Sequence, residues 1–240
     1  MKKRKITLSI CNPVHNEEGN IKELVERTHR TINPLFKGKW EHILVNDGSD
    51  DNSEVIIKEL REKHHNIVLV NHQKNKGEAA AWTTAFKKAK GEVTVILAAD
   101  LQSPPEEIPK LLEVIFKKGY DVGTGRRAAR KDGLFNWLVA RILNLFMSLV
   151  FGLRGIQDVS SSFFAVKTNF VKNLQLLKND HRYILAIFKQ RGALIKEVSF
   201  KHYSRVRGKS HYTQFKGITA IPEIFRFTVR FYYKNYKIIL

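Results

Sequence analysis

The chain has 240 residues, 43% of them hydrophobic, which is enough apolar material for one large domain and excludes a disordered chain. Its 42 Lys and Arg against 23 Asp and Glu leave a formal charge of +19, which favours a polyanionic partner: nucleic acid, an anionic membrane surface or a phosphorylated substrate. The single cysteine, Cys11, excludes an internal disulfide and a cysteine-based zinc site, and the basic start MKKRKITLSIC has too short an apolar run for a secretion signal.

Short β-rich runs at 6–11, 42–45, 67–70 and 93–98 alternate with helical patterns over 20–32, 53–63 and 78–90. This alternation predicts βαβ units and a mostly parallel, Rossmann-like sheet with helices on both faces. Pro105, Glu106 and Glu107 suit the first turn of another helix, where proline loses no hydrogen bond and acids favour the dipole. A further strand is predicted over 120–124, followed by the loop GTGRRAARKDG.

The second half is less regular. Residues 134–153, LFNWLVARILNLFMSLVFGL, have the length of a membrane span, but Arg141, Asn144 and Ser148 form a polar stripe at helical spacing. A mid-span Arg costs roughly 2.5–3.5 kcal/mol, so an interfacial or partly buried amphipathic helix is expected. From Ile221 the chain reads IPEIFRFTVRFYYKNYKIIL. Arg226, Arg230, Lys234 and Lys237 make a basic stripe among Phe225, Phe227, Phe231, Tyr232, Tyr233 and Tyr236. That pattern predicts a helix lying on an anionic bilayer, the alternative being a helix packed on its own domain.

In an open α/β sheet, ligands bind beyond the carboxyl ends of the strands, and there this sequence turns polar. The four successive strand ends read NPVHNEEGN, NDGSDDNS, NHQKNKGE and AADLQSPPE. They gather His15, Asn16, Glu17, Asp47, Ser49, Lys76, Asp100 and Gln102 along one edge. DGSDDNS lacks the spacing of a calcium loop, and neither a G-x-G-x-x-G after the first strand nor a P-loop occurs. Asp100 and Gln102, two residues apart, supply the hard oxygens that Mg²⁺ or Mn²⁺ takes from protein when the rest come from a diphosphate and water. Such an ion offsets charge on a departing nucleotide diphosphate. Carboxylates clustered in the cleft would repel a nucleic-acid backbone, so no nucleic-acid partner is expected despite the charge.

Eight segments in order carry a family resemblance: ICNPVHNEEGNI, ILVNDGSDDNS, NKGEAAAWTTAF, VILAADLQSPPEEI, GTGRR, QDVSSSFFAV, HRYI and RVRGKSHY. The chain resembles glycosyltransferase family 2 with its GT-A fold. Within it, the likeness is to the dolichol-phosphate mannose synthase-like and bacterial polyprenyl-phosphate glycosyltransferases. The resemblance implies that Pro13, His15, Asn16, Glu17, Asp47, Ser49, Lys76, Gly77 and Ala99 bind the donor nucleotide. It implies that Asp100 and Gln102 hold Mg²⁺ or Mn²⁺, and that Arg126, Arg127, Ser162, Arg205 and Ser210 handle the acceptor and its phosphate. Asp100, Arg126 and Arg205 are the implied catalytic residues, and Asp158 with Ser160, Ser161 and Ser162 matches a family segment close to the donor sugar. Two departures stand out: Ala98 replaces the first acid of the family's D-A-D-L-Q, and His15 stands where Tyr is common.

The implied reaction is an inverting transfer from a UDP- or GDP-sugar. A polyprenyl-phosphate acceptor is already ionised and needs no strong base, whereas a sugar hydroxyl would need one, with Asp158 or Asp180 as candidates. A non-catalytic family member is the further alternative, motivated by Ala98 and His15. The expected organisation is a GT-A domain over 1–215, with a nucleotide-binding half (1–125) and an acceptor half (126–215), then a membrane-associating segment over 216–240. Relatives often carry two membrane spans after this domain. The chain is therefore expected to be peripheral at the cytoplasmic membrane face, or truncated from a membrane-spanning protein.

Overall fold

A computed structural model describes residues 6–127, 144–200, 203 and 216–233. The first strand, β1 (Leu8–Val14), runs on through Pro13, past the expected end at Cys11. The pairing explains why proline is tolerated there. Cys11 faces β4 (Val93–Ile96), its carbonyl accepting from Leu97 N–H, and the β1–β4 ladder stops at Cys11. Pro13 faces the same side two residues later, where no ladder hydrogen bond is left to lose.

Helix α1 (Glu18–Phe36) buries Ile21, Leu24, Val25, Thr28, His29 and Ile32, a stripe at helical spacing. It passes Pro34 and ends where Lys37 turns left-handed (φ 44°) and donates its N–H to Asn33 O. Strand β2 (Trp40–Asp47) is buried throughout, followed by α2 (Ser53–Lys63), β3 (Ile67–His72) and α3 (Glu78–Lys88). After β4 come α4 (Ile108–Phe116) and β5 (Val122–Arg127). Residues 144–150 are helical (α5), and β6 (Phe164–Lys167), α6 (Ile184–Gln190), β7 (Ile195–Phe200) and α7 (Lys216–Tyr233) complete the order.

The seven strands form one sheet in the order β3-β2-β1-β4-β6-β5-β7. Only β6 runs against its neighbours, pairing antiparallel with β4 and β5, so the expected mostly parallel sheet is present. Its carboxyl-terminal edge gathers the loops after β1, β2, β3 and β4 and the ends of β5 and β7. One face packs against α1, α2 and α4 through Leu24, Ile57, Leu111 and Phe163. The other packs against α3, α5, α6 and α7 through Trp82, Phe151, Ile187 and Phe227.

Helix α7 packs on the domain by one face. Phe227 stacks on Tyr183 at 4.2 Å between ring centroids, and Phe231 meets Phe151 at 4.9 Å. Each such buried ring stabilises the fold by about 1.5–3 kcal/mol. Arg230, expected on an outward basic stripe, turns inward to the fully buried Asp180 (2.5 Å), because burial without a partner would leave that carboxylate uncompensated. Arg226, Phe225, Val229, Tyr232 and Tyr233 stay exposed. Tyr232 Oη donates to Val150 O (2.6 Å), which sets the outer face of α7 beside α5. There Leu145, Phe146 and Leu149 are exposed, while Ser148 of the expected polar stripe is buried and donates to Leu153 O. Arg141, Lys234, Tyr236 and Lys237 lie outside the described residues. Among the described residues, no helix is long and apolar enough to cross a membrane.

Candidate functional site

The loops after β1 and β2 are stapled to each other. Asn16 N–H donates to Ser49 Oγ (3.0 Å), Asp50 N–H to Asn16 Oδ1 (2.8 Å) and Glu17 N–H to Ser53 Oγ (3.0 Å). The starts of α1 and α2 are served reciprocally: Glu18 N–H donates to Asp51 Oδ2, and Asn52 N–H donates to Glu18 Oε2, both at 3.0 Å. These bonds satisfy N–H groups that a helix start leaves without intrahelical partners. Burial works against the charge on Asp51, but hydrogen bonds from Ser53 and Glu18 hold its carboxyl below the ordinary value. Asn16 and Ser49, predicted to touch the nucleotide, have these polar atoms engaged in holding the two loops together.

Gly48 lets the third loop join them. It sits at φ +63°, and a Cβ there would lie 2.3 Å from the Lys74 carbonyl carbon. Beside it, Asp47 is a hub. Its Oδ1 accepts from His72 Nδ1 (2.6 Å) and Lys76 N–H (3.0 Å), and its Oδ2 accepts from Gly77 N–H (2.8 Å). The Asp47 carbonyl accepts from His15 Nδ1 (3.1 Å), so His15 Nε2 is left to accept from Asn75 Nδ2 (2.9 Å). Asn75 Oδ1 in turn accepts from Gly77 N–H (2.9 Å). His15, Asp47, Lys76 and Gly77 are thus brought together, as expected, while Pro13 is half-buried in β1 and Glu17 Oε2 accepts from Asn20 Nδ2 (2.6 Å).

Strand β4 ends at Ile96, so Asp100 stands on a loop four residues beyond it and not at the strand tip. Leu101 adopts a left-handed backbone (φ 59°), and Gln102 N–H donates to Asp100 Oδ1 (3.1 Å). The loop is fixed at its base by Asn12 Nδ2, which donates to Leu97 O (2.7 Å), while Asn12 Oδ1 accepts from His42 Nε2 (2.6 Å). Asp100, Gln102, Ser103, Arg127, Ser161 and Ser162 line one small pocket with Ala98. Asp100 and Ala99 are buried.

Neighbouring arginines of β5 diverge because successive side chains of a strand point to opposite faces. Arg127 enters the Asp100 pocket and grips Asp158 bidentately at 2.7 and 2.8 Å. Arg126 lines a separate cavity with Arg154, Lys196 and Glu197, donating to Gln157 Oε1 (2.8 Å) and Ser199 Oγ (2.6 Å). Burial pushes the Glu197 carboxyl up, against N–H bonds from Asp158 and Gln157. Of the two candidate bases, Asp158 is held by Arg127, and Asp180 is buried beneath α7 with Arg230. Arg205 and Ser210 lie outside the described residues.

The residues present fit a hard divalent cation. One carboxylate (Asp100) and one amide oxygen (Gln102) share a pocket, and two protein oxygens are what Mg²⁺ or Mn²⁺ uses when phosphates and water complete its shell. Ala98 contributes no ligand. Among the described residues, no three or more His, Cys, Asp or Glu gather into an all-protein metal cage.

Residue-type reasoning overlooked His72, Asn75, Asn12 and His42, all of which support the site. His72 and Asn75 lie within NHQKNKGE, and the parallel register that sets His72 opposite Asp47 was the signal available. The Arg127–Asp158 pair joins the end of β5 to a loop 31 residues later and had no local signal.

The sequence model of the family described as "Glycosyl transferase family 2" matches residues 9–175. An undecaprenyl-phosphate 4-deoxy-4-formamido-L-arabinose transferase from Pectobacterium atrosepticum is 33% identical over 220 residues, covering 90% of this chain and 66% of its own. A dolichol-phosphate mannosyltransferase from Pyrococcus furiosus is 32% identical over 210 residues, covering 85% of this chain and 58% of its own. This chain therefore spans about two thirds or less of those relatives' length. Among solved structures, glucosyl-3-phosphoglycerate synthase from Mycobacterium tuberculosis, in complex with Mn²⁺, UDP and phosphoglyceric acid, superposes with a TM-score of 0.69 at 20% identity. It covers 94% of this chain and 78% of its own. A mannosyltransferase from Pyrobaculum calidifontis, in complex with GDP-Man and Mn²⁺, gives 0.62 at 18% identity, covering 85% and 58%. At these identities the structural likeness establishes the fold alone, the GT-A architecture.

Proposed function

This chain belongs to glycosyltransferase family 2, and on that premise we propose that it moves a sugar from a UDP- or GDP-sugar to a polyprenyl phosphate at a membrane surface. The observation that carries the reading is the pocket shared by Asp100, Gln102, Arg127 and Ser162, at the sheet edge where the His15, Asp47 and Lys76 loops converge. The relatives named for undecaprenyl-phosphate and dolichol-phosphate transfer support the same acceptor class.

The Lys76–Gly77 turn and the stapled loops present the nucleotide side of the donor. Asp100 and Gln102 would hold Mg²⁺ or Mn²⁺, which when bound offsets charge on the leaving diphosphate. An acceptor phosphate oxygen is ionised at neutral pH and attacks the anomeric carbon from the face opposite that diphosphate, inverting its configuration. No proton has to be removed, which agrees with Asp158 being gripped by Arg127 and Asp180 being sealed beneath α7. Arg127 and Ser162, which line the Asp100 pocket, would orient the acceptor phosphate, Arg127 through guanidinium N–H groups other than the pair given to Asp158. Catalysis then rests on alignment and charge stabilisation. The exposed apolar residues of α5 and α7, Leu145, Phe146, Leu149, Phe225 and Val229, suit contact with the bilayer in which such a lipid resides.

The test is thermal stabilisation by UDP and by GDP, each with and without Mn²⁺, on wild type and Asp100→Ala. A metal-dependent rise in Tm with one nucleotide, lost in the variant, is expected. No rise with either nucleotide would sink the reading.

A further inference from the structure

We propose that His72 is a positioning residue of the donor site, acting through Asp47 on the Lys76–Gly77 turn. The inference rests on the nucleotide-sugar reading above, and concerns how this chain holds the site in shape. His72 ends β3 directly opposite Asp47 in the parallel β2–β3 register. Both side chains are nearly sealed from solvent, at 7% and 5% exposure. A carboxylate only accepts, so His72 Nδ1 is the donor in the 2.6 Å bond to Asp47 Oδ1. His72 Nε2 is bonded to Thr84 Oγ1 on α3 at 2.9 Å, which fixes the ring plane.

With one oxygen pinned by His72, the Asp47 carboxylate is oriented to receive Lys76 N–H at 3.0 Å and Gly77 N–H at 2.8 Å. Gly77, with φ at 88°, is the residue from which α3 starts. The turn carrying Lys76 is therefore hung on Asp47, and Asp47 is oriented by His72. No atom of His72 needs to touch substrate. Without the imidazole, the buried carboxylate keeps its two backbone donors but loses the group that sets its rotation, so the turn loosens where it faces the nucleotide.

The two ring nitrogens give a discriminating test. An asparagine amide nitrogen falls near the position of Nδ1, whereas a glutamine amide nitrogen falls near Nε2. Affinity for UDP and GDP with Mn²⁺ is measured by calorimetry on wild type, His72→Ala, His72→Asn and His72→Gln. Amide hydrogen exchange at Lys76 and Gly77 is followed in parallel. Losing a hydrogen bond to a charged group weakens nucleotide binding by about tenfold or more in His72→Ala and His72→Gln. His72→Asn retains affinity within about threefold, because the donor to Asp47 is kept. Amide exchange at Lys76 and Gly77 rises in His72→Ala and His72→Gln only, and the transfer assay registers the loss in donor KM with kcat little changed.

Equal affinities for His72→Asn and His72→Gln, or an unaltered His72→Ala, overturn the assignment. Failure of wild type to bind either nucleotide breaks the donor reading itself, and the assignment with it. The two failures are told apart by the wild-type titration.

Discussion

The two halves of the molecule solve opposite problems at the same sheet edge. In the half built from β1 to β4, polar side chains satisfy one another: Asn16 with Ser49 and Asp50, Glu18 with Asn52, and Asp47 with His72, Lys76 and Gly77. In the half containing α5 and α7, the buried ion pair faces inward, Arg230 on Asp180. Leu145, Leu149, Phe225 and Tyr233 are left in the open. The first half is preorganised for a polar ligand, because few of its groups must be reoriented when one arrives. The second leaves apolar side chains exposed, which on the proposed reading contact with a lipid phase would cover.

The largest effect that should separate the halves is on chemistry. Asp100→Ala is expected to lower transfer more than about a hundredfold with little change in Tm, since on the proposed reading the residue would serve a ligand and not the core. An unchanged rate would show that the polar half is scaffold only. Next comes the lock on α7. Arg230→Met takes the guanidinium away from a sealed carboxyl group, and chemical denaturation should register a loss of about 3 kcal/mol. A loss under about 0.5 kcal/mol would mean that α7 is not held by this pair.

Much of the first half was legible in the sequence. Alternating apolar runs specified the strands, and helix α2 fell on its expected residues, because Ser53 and the periodic Ile57 and Leu60 mark its start and inner face. The strand-end loops were correctly placed at one edge. What residue types did not convey was the division between ligand contact and support. Asn16 and Ser49 are the same residues whether they face a nucleotide or each other, and only the approach of two loops more than 30 positions apart decides it. The divergence of Arg126 and Arg127 depends on strand phase, which the boundary at Val122 sets. The inward turn of Arg230 was hidden because its partner, Asp180, lies 50 residues earlier.

Acid should weaken the fold through three buried histidines. Burial lowers His29 and His181 to about 4 and holds His42 well below its ordinary value. The unfolded chain then binds more protons than the folded one between about pH 6.5 and 4, so stability is full above pH 6.5 and falls as pH drops through that window. Each fully neutral site contributes about 1.4 kcal/mol per pH unit there. Denaturation at pH 7 and pH 5 on wild type and His29→Gln should give a shallower pH slope for the variant, and identical slopes would contradict the burial argument. The smallest effect on stability is expected at the open face. Leu149→Asp and Phe225→Asp should shift stability by no more than about 0.5 kcal/mol, yet weaken sedimentation with anionic vesicles. Unaltered vesicle binding would remove the bilayer from the account of that surface.

The central claim is most directly tested by mass spectrometry of the lipid product, with NMR of its anomeric centre, after incubation of UDP- or GDP-sugars with a polyprenyl phosphate and Mn²⁺. The account predicts a polyprenyl-phosphate sugar of inverted anomeric configuration and one equivalent of UDP or GDP from wild type, and neither from Asp100→Ala. Sugar appearing on a saccharide hydroxyl while the lipid phosphate stays unmodified would contradict it.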